Sequence, residues 1–416
     1  MSFGPRRRGL LPVSQPSPSA AAAGRLAVLH SVPRWLPQTE TWLYTQVRFL
    51  PAEVENHIAC ESTENLDQFP AANIHSMAAQ PRWRSLTDRA LRKARLRNSL
   101  SYLDEAALRS RARLIHSHFG FTGWRDLAVA RKHRLAHAVT FYGADVQFYP
   151  RRNPRWFGRY KEMFASVDRV LCEGPHMGRE IVALGCPQSK IRVHHLGIDL
   201  ALIPFQPRAW HPGEPLRVLL SGSFREKKGL PDAVEALGRL QHEVPLEITI
   251  IGDATHEARS IREKQRILDA IARHGLGSIT RLAGFRPYRE VMDEARRHHV
   301  FLSPSVVAED GDTEGGAPVS LIEMSASGMV IVSTTHCDIP GVILDGRTGF
   351  LAPEHDVAAL VVHLRRVVAD PSAWGAMQRA GRAHIEAEFD ARRQGERLAA
   401  IYAELAGART GVAGTS

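Results

Sequence analysis

The chain has 416 residues, which is too many for one ordinary hydrophobic core and suits two domains. Lysine and arginine total 54 against 44 acidic residues, so the formal net charge is +10, and 44% of the residues are hydrophobic. This composition is typical of a globular protein, and no stretch approaches the roughly 20 apolar residues that a membrane-spanning helix needs. The four cysteines are far apart without a CxxC pair, so we expect a reducing, cytoplasmic compartment and neither a disulfide scaffold nor a structural zinc site.

Residues 1–24 are predicted to form a flexible tail. Their basic start is reminiscent of a secretion signal, but Pro12 interrupts the apolar part, Gly9–Val13. That part is also shorter than the roughly 7–15 apolar residues that such a signal requires. We therefore expect no secretion signal here.

From Arg25 onward, short apolar runs alternate with longer helical patterns. Runs that are apolar on both faces are typical of parallel strands covered by helices on each side. The alternation predicts right-handed βαβ units and an α/β fold of two Rossmann-like, doubly wound parallel sheets. The predicted strands are Leu26–His30, His57–Cys60, Leu114–His116, Ala138–Phe141, Val170–Cys172 and Ile191–His194, followed by Arg217–Leu220, Glu247–Ile251, Ile279–Leu282, Val300–Leu302, Val330–Ser333 and Phe350–Leu351.

The boundary between the two domains is predicted near Asp199–Glu214, which contains three prolines and no helical period. We expect a first domain over residues 25–205 and a second over 206–385, with an interdomain cleft at the carboxyl ends of their strands. Residues 386–405 carry a last helical pattern, which either covers the second sheet or crosses back to the first domain. Residues 406–416 are expected to form a tail.

The Gly-rich segment SPSVVAEDGDTEGGAPVSLIEMSASG, residues 303–328, follows a predicted strand and contains four acids before Pro318. Proline is favoured at the first position of a helix, and Gly328 can adopt the left-handed conformation that ends one. The free N–H groups at such a helix start bind anions, so we expect a diphosphate there. Within the helix, Glu323 either binds the two hydroxyls of a ribose or lies on a partly exposed face. Glu314 either faces a ligand or complements the helix dipole.

A second segment, VLLSGSFREKKGLPDAVEAL, predicts a strand, a short basic loop and an amphipathic helix over residues 218–237. The loop begins at Gly222, carries Arg225 and Lys228, and ends at Gly229. It matches neither the Walker A pattern nor GxGxxG. Cations on a short glycine-bounded loop at a sheet edge indicate phosphate binding, and the alternative is a solvated basic turn.

Taken together, the segments GSFREKKG, EGGAPVSLIE and DIPGVILDGRTGFL resemble glycosyltransferase family 4. In the first half, LPQTETWLYTQ, IHSHFGFTG, VTFYGADV and RVHHLGIDL look like counterparts in bacterial exopolysaccharide enzymes of the colanic-acid type. The likeness extends from about Arg25 to Tyr402. It implies a retaining GT-B enzyme that uses a nucleotide-sugar donor and needs no metal or other cofactor. The expected function is hexose transfer to a glycan or lipid-linked acceptor in cell-surface polysaccharide synthesis.

The resemblance also implies roles for individual residues. Lys228 matches the lysine that holds the donor diphosphate, whereas the family's arginine position is occupied by Ser223, with Arg225 as the available substitute. Glu323 matches the glutamate that binds ribose, and Glu314 matches the one near the donor sugar. These two are nine residues apart where the family has eight, which leaves open which loop acid faces the sugar. The expected donor-binding set is Gly222, Arg225, Lys228, Gly316, Val319, Ser320 and Glu323.

In the first domain, Tyr142 occupies the position where the family often has histidine, followed by Gly143 and Asp145. We expect Tyr142, Asp145 and His118 to contact the acceptor or the sugar. With no obvious nucleophile on the far face of the sugar, we favour attack by the acceptor hydroxyl on the same face as the departing phosphate. Glu314 would then be the catalytic residue, orienting the sugar without forming a covalent ester.

Residues 82–97, RWRSLTDRALRKARLR, hold seven lysines or arginines and one acid, with Trp83 and leucines interleaved. This pattern predicts a basic amphipathic helix that either is solvated or binds the anionic inner face of a membrane. Two other classes of function remain. A nucleic-acid-binding protein would fit the high pI, but the chain has no recognisable motif for it, so no nucleic-acid partner is expected. A nucleotide-sugar 2-epimerase would share the architecture.

Overall fold

The structure is a computed structural model that describes residues 24–37, 40–94 and 100–412. Nearly all of the predicted N-terminal tail therefore lies outside the described residues, as does the end of the predicted basic helix. Two parallel sheets, of seven and six strands, form the centres of two domains. The prediction of two doubly wound Rossmann-like sheets is confirmed.

The first sheet has the strand order β3-β2-β1-β4-β5-β6-β7, so its order reverses between β1 and β4. All neighbouring strands in it are parallel. Its elements are β1 (Leu26–Trp35), α1 (Thr41–Arg48), β2 (Val54–Thr63), β3 (Ile74–Ser76), α2 (Arg82–Lys93), α3 (Ser101–Ser110), β4 (Leu114–His118), α4 (Gly120–Lys132), β5 (Ala136–Thr140), α5 (Phe148–Arg152), α6 (Arg155–Ser166), β6 (Arg169–Cys172), α7 (Pro175–Ala183) and β7 (Ile191–Val193).

The second sheet has the order β10-β9-β8-β11-β12-β13 and reverses between β8 and β11, again with parallel neighbours. Ligands bind doubly wound sheets at the carboxyl ends of the strands beside such a reversal. Its elements are β8 (Leu216–Ser221), α8 (Leu230–Leu240), β9 (Leu246–Ile251), α9 (Ala258–Arg273), β10 (Thr280–Gly284), α10 (Tyr288–Arg297), β11 (Val300–Ser303), α11 (Val319–Ser327), β12 (Val330–Thr334), α12 (Ile339–Val342), β13 (Phe350–Ala352), α13 (Val357–Ala369), α14 (Trp374–Glu388) and α15 (Ala391–Val412).

Each of the twelve predicted strands overlaps a strand of the structure, whereas β3 was missed. β3 has three residues, Ile74–Ser76, which are all only partly buried at the edge of the first sheet. An edge strand of this length has no continuous apolar run for a sequence pattern to detect.

The last helix, α15, crosses from the second domain to the first. Its buried residues Leu398, Tyr402 and Leu405 pack with Val28 of β1 and Leu114 of β4. The helix thus covers an apolar face of the first sheet. A hydrogen bond adds to this packing, because the Arg113 guanidinium donates to the Ala406 carbonyl of α15 at 3.0 Å. Among the described helices, none combines the length and the apolar character required to cross a membrane.

Candidate active site

The basic loop of the second domain lies where the strand order reverses. β8 ends at Ser221, and the loop that follows turns into α8 at Gly229. Gly229 has a φ of 61°, and a Cβ there would overlap the carbonyl oxygen of Pro304. A residue with a side chain would therefore be strained in two ways. The side chain of Lys228 folds back over Gly222, where an added Cβ would lie 3.3 Å from the lysine Cδ.

The acidic loop after β11 contacts each of the three cations of the basic loop, Arg225, Lys227 and Lys228. The Lys228 Nζ lies 2.8 Å from Oε1 of Glu314, and the Lys227 Nζ donates to the Thr313 carbonyl at 2.7 Å. The Arg225 Nη2 lies 2.9 Å from Oδ2 of Asp312. Glu314 is therefore the loop acid that the structure brings to Lys228. Arg225 instead lines a separate cavity of about 580 Å³ beside α9.

Glu314 carries a firmly held negative charge. Burial by itself raises the pKa of this carboxyl, but Lys228 and then Lys227 outweigh it and lower the pKa to about 2. The Ser305 hydroxyl donates to Oε1 of Glu314 at 2.9 Å. The carboxylate is thus ionised throughout the neutral range, and its position is fixed by groups from two loops.

The predicted helix start and end are present in α11. Pro318 precedes the first helical residue, Val319, and Gly328 ends the helix with a φ of 92°. The N–H groups of Val319 and Ser320 belong to the first helical turn, which has no acceptors within the helix. Val319 and Glu323 line an interdomain cavity of about 830 Å³, to which the first domain contributes α1 residues such as Trp42.

Glu323 is an acid whose charge is disfavoured in the structure described here. Burial raises its pKa to about 7, and the Tyr288 hydroxyl, which is hydrogen-bonded to it, opposes the rise. The carboxyl faces a cavity with few other charges, so a ligand with hydroxyl donors would stabilise its ionised form. Tyr288 was not predicted from the sequence, although it begins α10 directly after the loop that follows β10.

The two domains touch beside Glu314. Gly143 of the first domain and Gly315 of the second have φ values of 112° and 81°, and a Cβ on Gly315 would overlap the Gly143 Cα. Both the conformations and the close approach require glycine. Gly316 lies against the Glu173 carboxylate in the same way. The predicted Gly316 therefore lies in the seam between the domains.

Glu173 and Asp338 are site residues that the sequence analysis missed. Burial, and next the charge of Asp338, raise the pKa of Glu173 well above its ordinary value, with Glu314 among the further contributors. Asp338 accepts hydrogen bonds from the N–H groups of His176 and Met177 at 2.7 and 3.1 Å. A carboxylate of the second domain thus caps helix α7 of the first. Glu173 directly follows β6, a position that could have been noticed from the sequence.

The structure corrects two of the three predictions for the first domain. His118 is fully buried, and both of its ring nitrogens have protein partners, His30 at 3.1 Å and the Tyr142 hydroxyl at 2.6 Å. Asp145 is also fully buried and accepts from the N–H groups of Gly120 and Tyr142 at 2.8 and 3.0 Å. Both side chains are saturated by local contacts and do not reach the cleft. Tyr142 remains partly exposed, and its ring lies against that of Trp42, with centroids 4.1 Å apart and the planes tilted by 40°.

Comparisons with known proteins agree with this architecture. The model for glycosyl transferases group 1 matches residues 205–384, and the model for glycosyltransferase family 4 matches residues 39–202. The amylovoran biosynthesis glycosyltransferase AmsK of Erwinia amylovora is 33% identical over 302 residues, which cover 70% of this chain and 69% of AmsK. WcaL of Escherichia coli (strain K12), named for colanic acid biosynthesis, is 33% identical over 261 residues, 61% of each chain.

Solved structures share the fold at low identity. Anabaena Alr3699/HepE, crystallised with UDP and glucose, superposes with a TM-score of 0.71 at 13% identity and covers 91% of this chain and 100% of its own. Sucrose-phosphate synthase from Thermosynechococcus elongatus superposes with a TM-score of 0.70 at 17% identity, over 92% of this chain and 100% of its own. The fold is GT-B, and the chain belongs to glycosyltransferase family 4 and is a glycosyltransferase.

Proposed function

We propose that this enzyme transfers a hexose from a nucleoside-diphosphate sugar to a glycan or lipid-linked acceptor during the assembly of a cell-surface polysaccharide. The observation that supports this most is the arrangement around α11. Lys228 contacts Glu314, five residues before the helix starts, and Glu323 lies one turn inside the helix. The contact with Glu314 thus brings the cation of the basic loop to the segment that carries the helix start and the carboxyl proposed to bind ribose. The relatives named for amylovoran and colanic acid synthesis support the class of product.

The donor is proposed to lie with its ribose at Glu323 and its diphosphate between Lys228 and the first N–H groups of α11. The lack of a side chain at Gly222 lets the Lys228 side chain fold over the basic loop, and at Gly316 it lets the Glu173 carboxyl approach the loop before α11. HepE binds UDP and glucose on the same fold, which supports a nucleotide-sugar ligand of this kind. Arg225 enters this proposal only if it leaves Asp312, its partner at 2.9 Å.

The reaction is proposed to proceed with retention, by attack of an acceptor hydroxyl on the face that the phosphate leaves. Scission of the bond from the anomeric carbon to phosphate builds negative charge on the diphosphate, which Lys228 and the α11 dipole stabilise. Positive charge develops on the sugar ring, and the ionised Glu314 stabilises it electrostatically. The departing phosphate takes the proton of the acceptor hydroxyl. The proposed mechanism assigns no step to a metal ion or another cofactor. A Glu314→Gln variant with unchanged turnover would contradict the role of Glu314.

A thermal-shift screen of UDP-, GDP- and ADP-sugars tests the proposal. A donor at 100 times its Kd is expected to stabilise the protein by about 2.7 kcal/mol. Transfer of the sugar of the stabilising donor to a lipid extract from a polysaccharide-producing bacterium would then support the reaction. Conversion of the donor sugar without any acceptor would indicate an epimerase, and salt-sensitive binding of arbitrary DNA without any donor binding would indicate a nucleic-acid protein.

Helix α2 is proposed to hold the enzyme at the anionic inner face of the plasma membrane, where a lipid-linked acceptor would be presented. Trp83 is 61% exposed and Leu86 is 62% exposed on this basic helix. Exposed aromatic and aliphatic side chains among cations are typical of interfacial helices. The buried Asp88 accepts from the Ser101 N–H and hydroxyl at 2.9 and 2.6 Å, which fixes the helix to the domain.

Flotation with vesicles tests this surface. We expect the protein to float with phosphatidylglycerol vesicles and not with phosphatidylcholine vesicles, and we expect a Trp83→Ser, Leu86→Ser variant to lose the binding. Leu108→Ser is the matched control, because Leu108 is 65% exposed on α3. Equal flotation of all three proteins would refute the role of α2.

A further inference from the structure

A buried histidine connects the loops that follow three neighbouring strands of the second sheet. β11, β12 and β13 lie side by side and parallel, so these loops meet at one edge of the sheet. His336 lies two residues after the end of β12, and Glu354 lies two residues after the end of β13. Glu314 lies in the acidic loop after β11. The side chain of His336 is fully buried, and it is hydrogen-bonded to both of the other residues.

The two ring nitrogens of His336 face groups with opposite requirements. The Nδ1 lies 2.8 Å from Oε1 of Glu354, and the backbone N–H of Glu314 donates to the Nε2 at 3.1 Å. A carboxylate only accepts and a backbone N–H only donates. His336 is therefore neutral and carries its proton on Nδ1, which leaves the lone pair of Nε2 for Glu314. The Cys337 thiol also lies 3.1 Å from Nε2, and burial raises the pKa of this thiol to about 12, so it is a second donor and not an anion.

Glu354 fixes the orientation of the ring. Its other oxygen, Oε2, accepts from the Val307 N–H at 2.7 Å. Burial by itself raises the pKa of Glu354, but the hydrogen bonds from His336 and Val307 outweigh it and lower the pKa, so both oxygens are acceptors at neutral pH. One carboxylate thus ties the acidic loop to the end of β13 at two points. The contact is direct at Val307 and passes through His336 at Glu314.

We propose that His336, oriented by Glu354, is the positioning residue that holds Glu314 against Lys228. The N–H of Glu314 is bonded to its own Cα, so fixing this N–H fixes the direction in which the side chain leaves the loop. Along that direction the carboxylate lies 2.8 Å from the Lys228 Nζ. The inference rests on the proposed function for the part that Glu314 plays in the reaction, whereas the arrangement itself belongs to the ligand-free protein.

Nitrogen NMR of the ligand-free protein, labelled with ¹⁵N-histidine, tests the position of the proton. At pH 7 we expect His336 to be neutral with its proton on Nδ1, and a His336→Gln variant assigns its signals. Glu354→Leu removes the acceptor, so the proton should distribute over both ring nitrogens. A proton on Nε2 in the wild type, or a cationic His336, would overturn the proposal, because the Glu314 N–H would then face another donor. An unchanged proton position in Glu354→Leu would overturn it as well, since Glu354 would not orient the ring.

The ionisation of Glu314 reports where its carboxyl lies. Burial raises its pKa, but Lys228 and then Lys227 outweigh burial and lower the pKa from 4.5 to about 2. A carboxyl that moves away from these cations therefore regains a higher pKa, and up to half of it is protonated at pH 4.5. Labelling with ¹³C-glutamate measures this fraction, and Glu314→Gln assigns the signal.

Two amide variants separate the two ring nitrogens. The amide oxygen of His336→Gln can take the place of Nε2 and accept from the Glu314 N–H, whereas the shorter side chain of His336→Asn reaches only the position of Nδ1. We expect Glu314 to stay ionised at pH 4.5 in the wild type and in His336→Gln, and to become partly protonated in His336→Asn. Equal Glu314 signals in the two variants would overturn the proposal.

His133→Leu is the matched control. The His133 Nε2 lies 2.9 Å from Oδ1 of Asp104 in the first domain, so this variant also removes a largely buried pair of a histidine and a carboxylate. We expect its Glu314 signal to equal that of the wild type. The same change of the Glu314 signal as in His336→Asn would show that the whole protein has loosened, and it would overturn the proposal.

Turnover relates this arrangement to the reaction. The probes are UDP-glucose, GDP-glucose and ADP-glucose with the lipid extract, and the release of the nucleoside diphosphate is measured. Displacing a reacting group by about 1 Å can cost about 100-fold in rate, so we expect His336→Asn to lower kcat about 100-fold with the donor KM within about threefold of the wild type. His336→Gln should retain most of kcat, and a wild-type kcat in His336→Asn would overturn the positioning role. If the wild type turns over none of the three probes, the proposed function fails, and the two NMR measurements decide this inference by themselves.

Discussion

Replacing Glu323 by glutamine should stabilise the ligand-free enzyme at neutral and alkaline pH. Burial raises the pKa of this carboxyl from 4.5 to about 7. At about 1.4 kcal/mol per pH unit, this rise of about 2.5 units means that ionising the carboxyl in the folded protein costs at most about 3.5 kcal/mol more than in the unfolded chain. Between pH 4.5 and 7 the unfolded state releases its proton while the folded state keeps it, so the stability of the wild type falls as pH rises through this window and is constant above it.

Thermal unfolding between pH 5 and 8 measures this difference. For a domain of this size, each kcal/mol corresponds to about 2–4 °C in Tm. We expect Glu323→Gln to melt several degrees above the wild type at pH 8 and almost with it at pH 5. A Tm difference between variant and wild type that does not change with pH would refute the reasoning, and so would a variant that is less stable than the wild type at pH 8. The same variant should bind nucleotides more weakly, because only the carboxylate accepts from both ribose hydroxyls.

Glu314→Gln is the matched control, since its pKa shift has the opposite sign. Lys228 and Lys227 outweigh burial and lower the pKa of Glu314 from 4.5 to about 2. Its contribution to stability is therefore present above pH 4.5 and is lost as pH falls towards 2. We expect Glu314→Gln to be less stable than the wild type at pH 8, where Glu323→Gln is more stable.

Three further predictions concern Lys228, the domain seam and the protonation of Glu323. Lys228→Ala should abolish the increase in Tm that a donor causes. It should also destabilise the protein by about 3 kcal/mol, because Glu314 would lose its partner at 2.8 Å. A variant whose Tm still rises fully with the donor would contradict the account. Asp338→Ala should lower the free energy of unfolding by about 1 kcal/mol, because it removes the cap of α7. It should also increase the radius of gyration measured by small-angle scattering. An unchanged radius would show that the cap does not hold the domains together. Donor affinity should fall as pH drops below 7, when Glu323 takes up a proton; calorimetry at pH 6 and 8 checks this, and equal affinities would argue against a ribose contact.

Much of the second domain's site could be predicted because parallel strands end at one edge. The basic loop after β8, the acidic loop after β11 and the start of α11 are each marked by glycine or proline beside charged residues. Strand order then places these segments together without knowledge of any side-chain contact. The sequence could not decide which loop acid meets Lys228, because the nine-residue spacing allows several backbone paths; the structure selects Glu314.

Residues at the domain seam were missed because their environment depends on how the two domains meet. Asp338 and Glu173 are far apart in sequence, and the pairing of Asp338 with the start of α7 requires both sheets in place. The opposite error concerns His118 and Asp145. His118 was expected at the cleft because it lies at a strand end, and Asp145 because its segment resembles one of the family. A sequence does not reveal that neighbouring backbone N–H groups and His30 already satisfy them.

The most direct test of the central claim compares nucleoside diphosphates with nucleosides by calorimetry. The pairs are UDP and uridine, GDP and guanosine, and ADP and adenosine, measured with the wild type, Lys228→Ala and Glu323→Gln. If Lys228 and the start of α11 hold the diphosphate while Glu323 holds the ribose, one nucleoside diphosphate should bind to the wild type far more tightly than its nucleoside. Lys228→Ala should then remove most of this difference in affinity. Glu323→Gln should weaken the binding of both ligands to the same extent. A difference that survives intact in Lys228→Ala would contradict the claim.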